Sequence, residues 1–515
     1  MSHQEESTLA VGSGPILLAL AESWYEAGLS KLTVFISDMD ATDTAKLMQL
    51  REGALGANPE ASLKILTAAG DEEPDWRSII EPFQFIIYVA ETGEWRELHQ
   101  LQDACIAERR LLLPAIALQG LGLAGPLVDP GACERWESAW RRIHVSALPK
   151  NREHEYLSTA AAAVLANIVV HQWHKVISQN EALDCRNQCF VLEPEKLTGS
   201  WHRVLPHPLV SGYEAAQQLL TPELSRSLEI RDVSLNPEEW SKYFKGLTSE
   251  VTGIFHTWGE GDLIQLPLAQ CLVQPVDLLT EGPAQLLPAI VCSGLTHEEA
   301  RRESALAGLE AYAARMLPLQ FAGLPLHLQE GVFIGAGSTV AEAVGRALRF
   351  SLAQKLAGRL HSQRQHVTSI TWMEVEDIRC RFYLDALNIT EGEVLIAAGE
   401  PLLGFSVVWV CSGSLWYVSA DLSFTLALRS SLMKALNKAE PLEITPVIEE
   451  AQEIEAAVIS DGEPVDYSSL TQEALKTLMQ FSASMKVFDL RSESLLGAGP
   501  FAIYGVILKE EEEVP

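Results

Sequence analysis

Residues 8–38 read TLAVGSGPILLALAESWYEAGLSKLTVFISD. An apolar run ends in Gly12-Ser13-Gly14, PILLALAESWYEAG has the make-up of a helix, and KLTVFISD is a second apolar run. A strand that turns through glycine into a helix and on to a second strand is a βαβ unit, whose two strands lie parallel. Working outward, SLKILTAAG at 62–70, FQFIIYVAE at 83–91 and LLLPAIAL at 111–118 read as further strands, with ELHQLQDACIAERR at 97–110 as a helix. This alternation predicts a mostly parallel, doubly wound sheet with helices on both faces. HEYLSTAAAAVLANIVVHQWHKV, within residues 151–180, is alanine-rich and free of Gly and Pro, and predicts one long helix. CFVLEPEKLTGSWHRVLPHP predicts a hairpin or short strands leading to a boundary near Pro206 and Pro208.

From about residue 215 the pattern changes. Strands such as DLIQLPLAQCLVQ are interleaved with three long amphipathic helices, THEEARRESALAGLEAYAARM, TVAEAVGRALRFSLAQKLAGRL and LSFTLALRSSLMKALNKA. Each helix starts from a Ser or Thr that can cap it, and each follows a strand and a short turn: PAIVCSGLTHEE, GVFIGAGSTVAEA and LWYVSADLSFTLA. The fold expected is therefore α/β, with a Rossmann-like N-terminal domain over residues 1–210, an α+β domain with quasi-repeated units over 211–508, and an acidic tail at 509–515.

At 515 residues the chain is long enough for two to four domains, and two large ones are the simplest fit. A hydrophobic fraction of 47% and a charged fraction of 21% suit a chain that buries large apolar surfaces. Lys and Arg number 38 against 69 Asp and Glu, a net charge of -31 that repels nucleic acid and anionic lipid. No run reaches the roughly 18 apolar residues of a membrane span and no secretory segment follows MSHQEESTLA, so a cytoplasmic protein is expected. The eight cysteines mostly stand singly in apolar runs, as small buried hydrophobes do.

Two constellations carry candidate chemistry. Gly12 and Gly14, between strand and helix, have the form of a loop whose backbone N–H groups cradle phosphate, with Asp38 and Asp40 where a ribose would be gripped. Against that stand the missing third glycine and Pro15, which removes one N–H; the other reading is a tight turn opening a βαβ unit. His171, His174, Cys185 and Cys189 form HxxH followed by CxxxC, tolerable for structural zinc, although packing of an alanine-rich helix around Trp173 accounts for the histidines equally well.

VGSG, AGLSKLTVFISDMD, FIIYVAE and LLLPAIALQGLGLAGPLVDPGAC follow the layout of the E1-like, ThiF-like adenylating proteins over about residues 8–207. That resemblance implies a magnesium-binding Asp near the end of the fourth strand, an Arg after the ribose-binding acid and paired CxxC motifs for zinc. Here Glu91 stands at the first, no Arg occurs in DATDTAKLMQL before Arg51, and Cys133-Glu134-Arg135-Trp136 lacks the second thiolate. LTSEVTGIFHTWGEGDLIQLPLAQCLVQ, GLTHEEARRESALAGLEAYAARM and GAGSTVAEAVGRALRFSLAQKL resemble a YcaO-type domain, the ATP-dependent cyclodehydratase fold. The resemblance implies glutamates on these helices that hold magnesium and ATP phosphates. Gly308, Ala311 and Phe350 stand at those positions, while Glu298, Glu299, Glu303 and Glu342 lie near helix starts, where the helix dipole favours acids, and Glu310 lies on a different face.

A degenerate E1-like module followed by a degenerate YcaO-like module resembles the ocin-ThiF-like group of thiazole-containing bacteriocin maturation proteins. The resemblance implies a non-catalytic accessory protein, without catalytic residues or cofactor, whose partners are a precursor (leader) peptide and a separate YcaO cyclodehydratase. A homodimer stays open, and the alternative is an active ATP-dependent adenylating or cyclodehydrating enzyme. Peptide would add as a strand to a sheet edge or lie in an apolar groove. Trp136, Trp140 and Trp201 are the candidate aromatic surface, their other use being to fill a domain junction.

Overall fold

The computed structural model describes residues 5–67, 74–91, 95–131, 135–149, 157–179, 186–230, 236–323, 325, 329, 331–370, 374–449, 458–459, 465–491 and 493–510. The chain forms two compact units. The first comprises Met1–Gly212 with Gly246–His256 and Val276–Leu287; the second comprises Tyr213–Lys245, Thr257–Pro275 and Pro288–Pro515. Two segments expected in the second domain therefore group with the first.

The first unit is built on an eight-stranded sheet of order β3-β2-β1-β4-β5-β6-β7-β8. β1 (Thr8–Gly12), β2 (Lys31–Ile36), β3 (Ser62–Thr67), β4 (Phe85–Ala90) and β5 (Leu111–Leu118) are parallel. β6 (Leu121–Ala124), β7 (Gln188–Glu193) and β8 (Thr198–Arg203) extend it antiparallel, the last two as the expected hairpin. Side chains alternate between two cores, as the twofold pleat requires. Ala10, Phe85, Ile87 and Val89 face a core roofed by α1 (Gly14–Glu26). Leu9, Val11, Ile86 and Tyr88 face the other, with Leu98 and Leu101 of α3 (Trp95–Ala107), which follows α2 (Thr44–Ala57) in the chain. α4 (Trp136–Arg142) packs into that second core, and α5 (Thr159–Gln179), the long alanine-rich helix, into the first. Each fully buried large apolar side chain contributes roughly 1.5–3 kcal/mol, so two continuous cores stabilise the unit without help from propensity.

In the second unit, β9 (Gln217–Leu219), β18 (Ala483–Asp489), β19 (Ala502–Glu510) and β12 (Phe333–Gly337) form one antiparallel sheet. A five-stranded sheet joins β16 (Leu415–Asp421), β15 (Phe405–Ser412), β14 (Leu395–Leu402), β13 (His366–Ser369) and β17 (Val447–Glu449). β10 (Ala269–Asp277) pairs β11 (Ile290–Gly294). The predicted helices are α6 (His297–Ala314), α7 (Val340–Ser362) and α9 (Phe424–Asn437); α8 (Ile378–Thr390) and α10 (Tyr467–Gln480) complete the set used below. α7 lies at the centre: Val344 and Ala347 pack on the four-stranded sheet, while Leu348, Leu352 and Leu356 pack on the five-stranded one. Lys509 and Glu510, expected in the acidic tail, belong to β19, and residues 511–515 lie outside the described set. Among the described residues no helix is long and apolar enough to cross a membrane.

Candidate functional site

Each of the three strand–turn–helix repeats closes with the expected cap. Thr296, Thr339 and Ser423 accept hydrogen bonds from the backbone N–H groups of Glu299, Glu342 and Leu426. In the first two repeats the glutamate at the third helical position bends back: Glu299 accepts from the Leu295 N–H at 2.9 Å and Glu342 from the Ser338 N–H at 2.8 Å. Reciprocal bonds of this kind satisfy N–H groups that a helix start leaves open. Asp466 caps α10 in the same way, accepting from Ser469. These four starts line one cavity of about 750 Å³.

The cavity wall carries Glu299, Glu303 and Glu342 beside Arg302, Arg349, Arg379 and Arg429. Every glutamate among them accepts from a guanidinium. Arg379 grips Glu299 with both terminal nitrogens at 2.8 and 3.0 Å. Arg302 donates to both oxygens of Glu342 at 2.7 Å and lies 3.5 Å from Glu303. Behind the wall, buried Arg346 donates to Glu303 at 2.5 Å and to Glu310 at 2.7 Å, and Glu310 also accepts from the Ala336 N–H at 2.9 Å. Arg349 donates to Asp421 at 2.9 Å, and Arg429 to both oxygens of fully buried Asp377, which also caps α8. Burial pushes the carboxyl groups of Glu303 and Glu310 up, but Arg346 outweighs it at Glu303, which sits below the ordinary carboxylate range, while Glu310 stays above it. Burial works against the charge on Arg346 as well, yet Glu303 and Glu310 hold its guanidinium firmly protonated.

Gly308, Ala311 and Phe350 do not line this cavity. Gly308 is buried and Phe350, 43% exposed, faces outward one position beyond the inward Arg349. Sequence reading assigned Glu299 and Glu342 to helix-start electrostatics, and both do serve the starts of α6 and α7. It missed the arginines. Glu303 and Glu310, seven residues apart, share one face of α6 and meet in Arg346, a spacing from which their common partner could have been sought.

At the glycine loop of the first unit, Gly12 has φ +151°, and a Cβ there would lie 2.0 Å from the Val89 carbonyl oxygen, so close approach of β1 to β4 demands glycine. The Gly14 N–H, at φ +72°, donates to the Thr42 hydroxyl at 2.9 Å, which itself donates to the Asp38 carbonyl at 2.7 Å. The Asp38 carboxylate accepts from the Asp40 and Ala41 N–H groups at 2.9 and 3.1 Å, while Asp40 is exposed. The side chain of Glu91, whose carboxyl burial pushes above its ordinary range, lies 3.7 Å from where a Gly14 Cβ would be. The Gly14 N–H is thus taken within the loop, beside a carboxylate, and is not open to a phosphate oxygen.

Of the described zinc candidates, the two histidines are not brought to Cys189. His171 and His174 are exposed on α5, which roofs one face of the sheet, whereas Cys189 is buried in the core on the other. Trp173, between the two histidines, packs 4.6 Å from Trp24. Cys185, like Cys133, lies outside the described residues, and among those described no group of three His, Cys, Asp or Glu is arranged to hold a metal ion. Trp136 and Trp140, candidates for a binding surface or for filling a junction, are core residues whose rings lie tilted against Trp95 at 4.9 and 5.5 Å; Trp201, 37% exposed, packs on Phe190.

No family model and no curated protein matches the chain. Among solved structures, a heterocyclase in complex with substrate and cofactor matches at a TM-score of 0.56 and 10% identity, over 98% of this chain and 81% of its own. The heterocyclase TruD matches at 0.51 and 12% identity, over 98% and 79%. E. coli MccB with AMPCPP and MccA matches over 41% of this chain and 67% of its own, at 13% identity and a TM-score of 0.32. At such identities the likeness to the two heterocyclases is one of fold, and it spans both units.

Proposed function

We propose that this chain is a non-catalytic accessory protein in the maturation of azole-modified ribosomal peptides of the bacteriocin type, acting in the cytoplasm. It recruits the precursor peptide, scaffolds a separate YcaO-type cyclodehydratase, or does both. The first unit is read as an E1-like, ThiF-like module and the second as a YcaO-like module. Support comes from a fold shared with two heterocyclases over 98% of the chain, combined with a cavity in which every wall glutamate accepts from a guanidinium. That second observation carries the reading. A divalent cation needs a cage of free oxygens, and guanidiniums already fill it, so the residues do not fit a magnesium-bound nucleotide. The Gly12 loop, its Gly14 N–H held by Thr42, points the same way.

The test uses the full chain. Immobilised, it should retain a precursor peptide from its own source, and a YcaO-type cyclodehydratase from that source should co-elute with the pair. The purified chain given Mg²⁺, ATP and precursor should release no phosphate. Peptide-dependent ATP turnover by the chain alone would reject the accessory reading in favour of an active enzyme. Self-association without peptide retention would leave only a dimerisation partner.

A further inference from the structure

We infer that Arg346 is a built-in substitute for a divalent cation between Glu303 and Glu310. The inference rests on the non-catalytic reading of the second unit and deepens it. Arg302, Glu303 and Glu310 on α6 meet Glu342 and Arg346 on α7 in one connected cluster. Two arginines against three glutamates leave a net charge of −1. Arg346 holds the centre, with its side chain 8% exposed and its nitrogens at 2.5 Å from Glu303 and 2.7 Å from Glu310. Two carboxylates converging on one buried positive charge is the local electrostatics of a hard-cation site, with a guanidinium in place of the ion. The covalently attached charge cannot dissociate, so the pairing of α6 with α7 needs no metal.

The charge count makes this testable. Arg346→Met leaves the cluster at −2, the charge that one divalent cation cancels, and frees Glu303 and Glu310 to hold it. The melting temperature of the wild-type chain should not respond to millimolar Mg²⁺ or Mn²⁺. R346M should melt about 5–10 °C lower in EDTA and recover a large part of that loss in either cation. R346M/E310Q, one carboxylate short, should show no recovery. R346K, which keeps the charge on a thinner stem, separates loss of packing from loss of charge and should stay insensitive to cations. If R346M folds only when refolded with Mg²⁺ and not in EDTA, the inference is equally supported.

A folded R346M indifferent to cations overturns it, as does failure to refold in both conditions. So does a wild-type melting temperature that rises with Mg²⁺ and loses that response in E310Q. Precursor retention by the wild-type chain, measured in parallel, reports on the accessory reading separately, so either idea can fail alone.

Discussion

The smallest decisive unit is a carboxylate and its donor. Asp377 is fully buried, caps α8 and accepts from Arg429. Breaking a buried pair strands a charge, so Arg429→Met should cost about 3–5 kcal/mol in urea unfolding, while Asp377→Leu with Arg429→Met should recover most of it. Thr42 makes the complementary case: Thr42→Val orphans the buried Gly14 N–H and should cost about 1–3 kcal/mol without creating nucleotide binding by equilibrium dialysis. Neither pair was legible in the sequence. An isolated arginine such as Arg346 or Arg349 looks like a solvated helix face, because its partner comes from a different helix or strand. That Gly308 and Ala311 carry no acid could be read from one chain; the guanidiniums that hold Glu299, Glu303 and Glu342 could not.

At the scale of elements the sequence was far more informative, because caps and periodicity are local. The three capped helices begin at His297, Val340 and Phe424, where Thr296, Thr339 and Ser423 stood in the sequence. Thr296→Ala, Thr339→Ala and Ser423→Ala should each lower stability by about 1 kcal/mol, read from urea midpoints at unchanged slope. Ser423→Ala should cost least, because Leu426 offers no carboxylate for a reciprocal bond. The parallel strands were legible from apolar runs, continuous in β1, β4 and β5 and interrupted by Thr33 in β2 and Lys64 in β3. What hid was the meaning of the glycines: Gly12 is explained by the approach of Val89, a contact between strands with more than seventy residues of chain between them.

At the scale of the whole molecule, acidity and chain path matter. His144 is fully buried, with Nε2 2.8 Å from the Gly253 carbonyl oxygen, and burial depresses its pKa to about 4; burial takes His207 to about 2. The unfolded chain takes up a proton near pH 6.5 that folded His144 refuses. Its contribution is therefore full above that pH and is lost as the pH falls toward 4, roughly 3 kcal/mol over the window. Urea unfolding at pH 7.5 and 5 should show the loss, and His144→Gln should flatten it, leaving the share of His207. The boundary expected at residue 210 could not be placed from sequence, because nothing in LTSEVTGIFH announces that it turns back. Yet the His144 backbone N–H is answered by Val251 and that of Val145 by Ala284. A gene split at the apparent seam would ship the N-terminal half without the strips that answer those two backbone N–H groups. Expressed alone, residues 1–210 should therefore be less stable than the same piece supplied with residues 246–256 and 276–287.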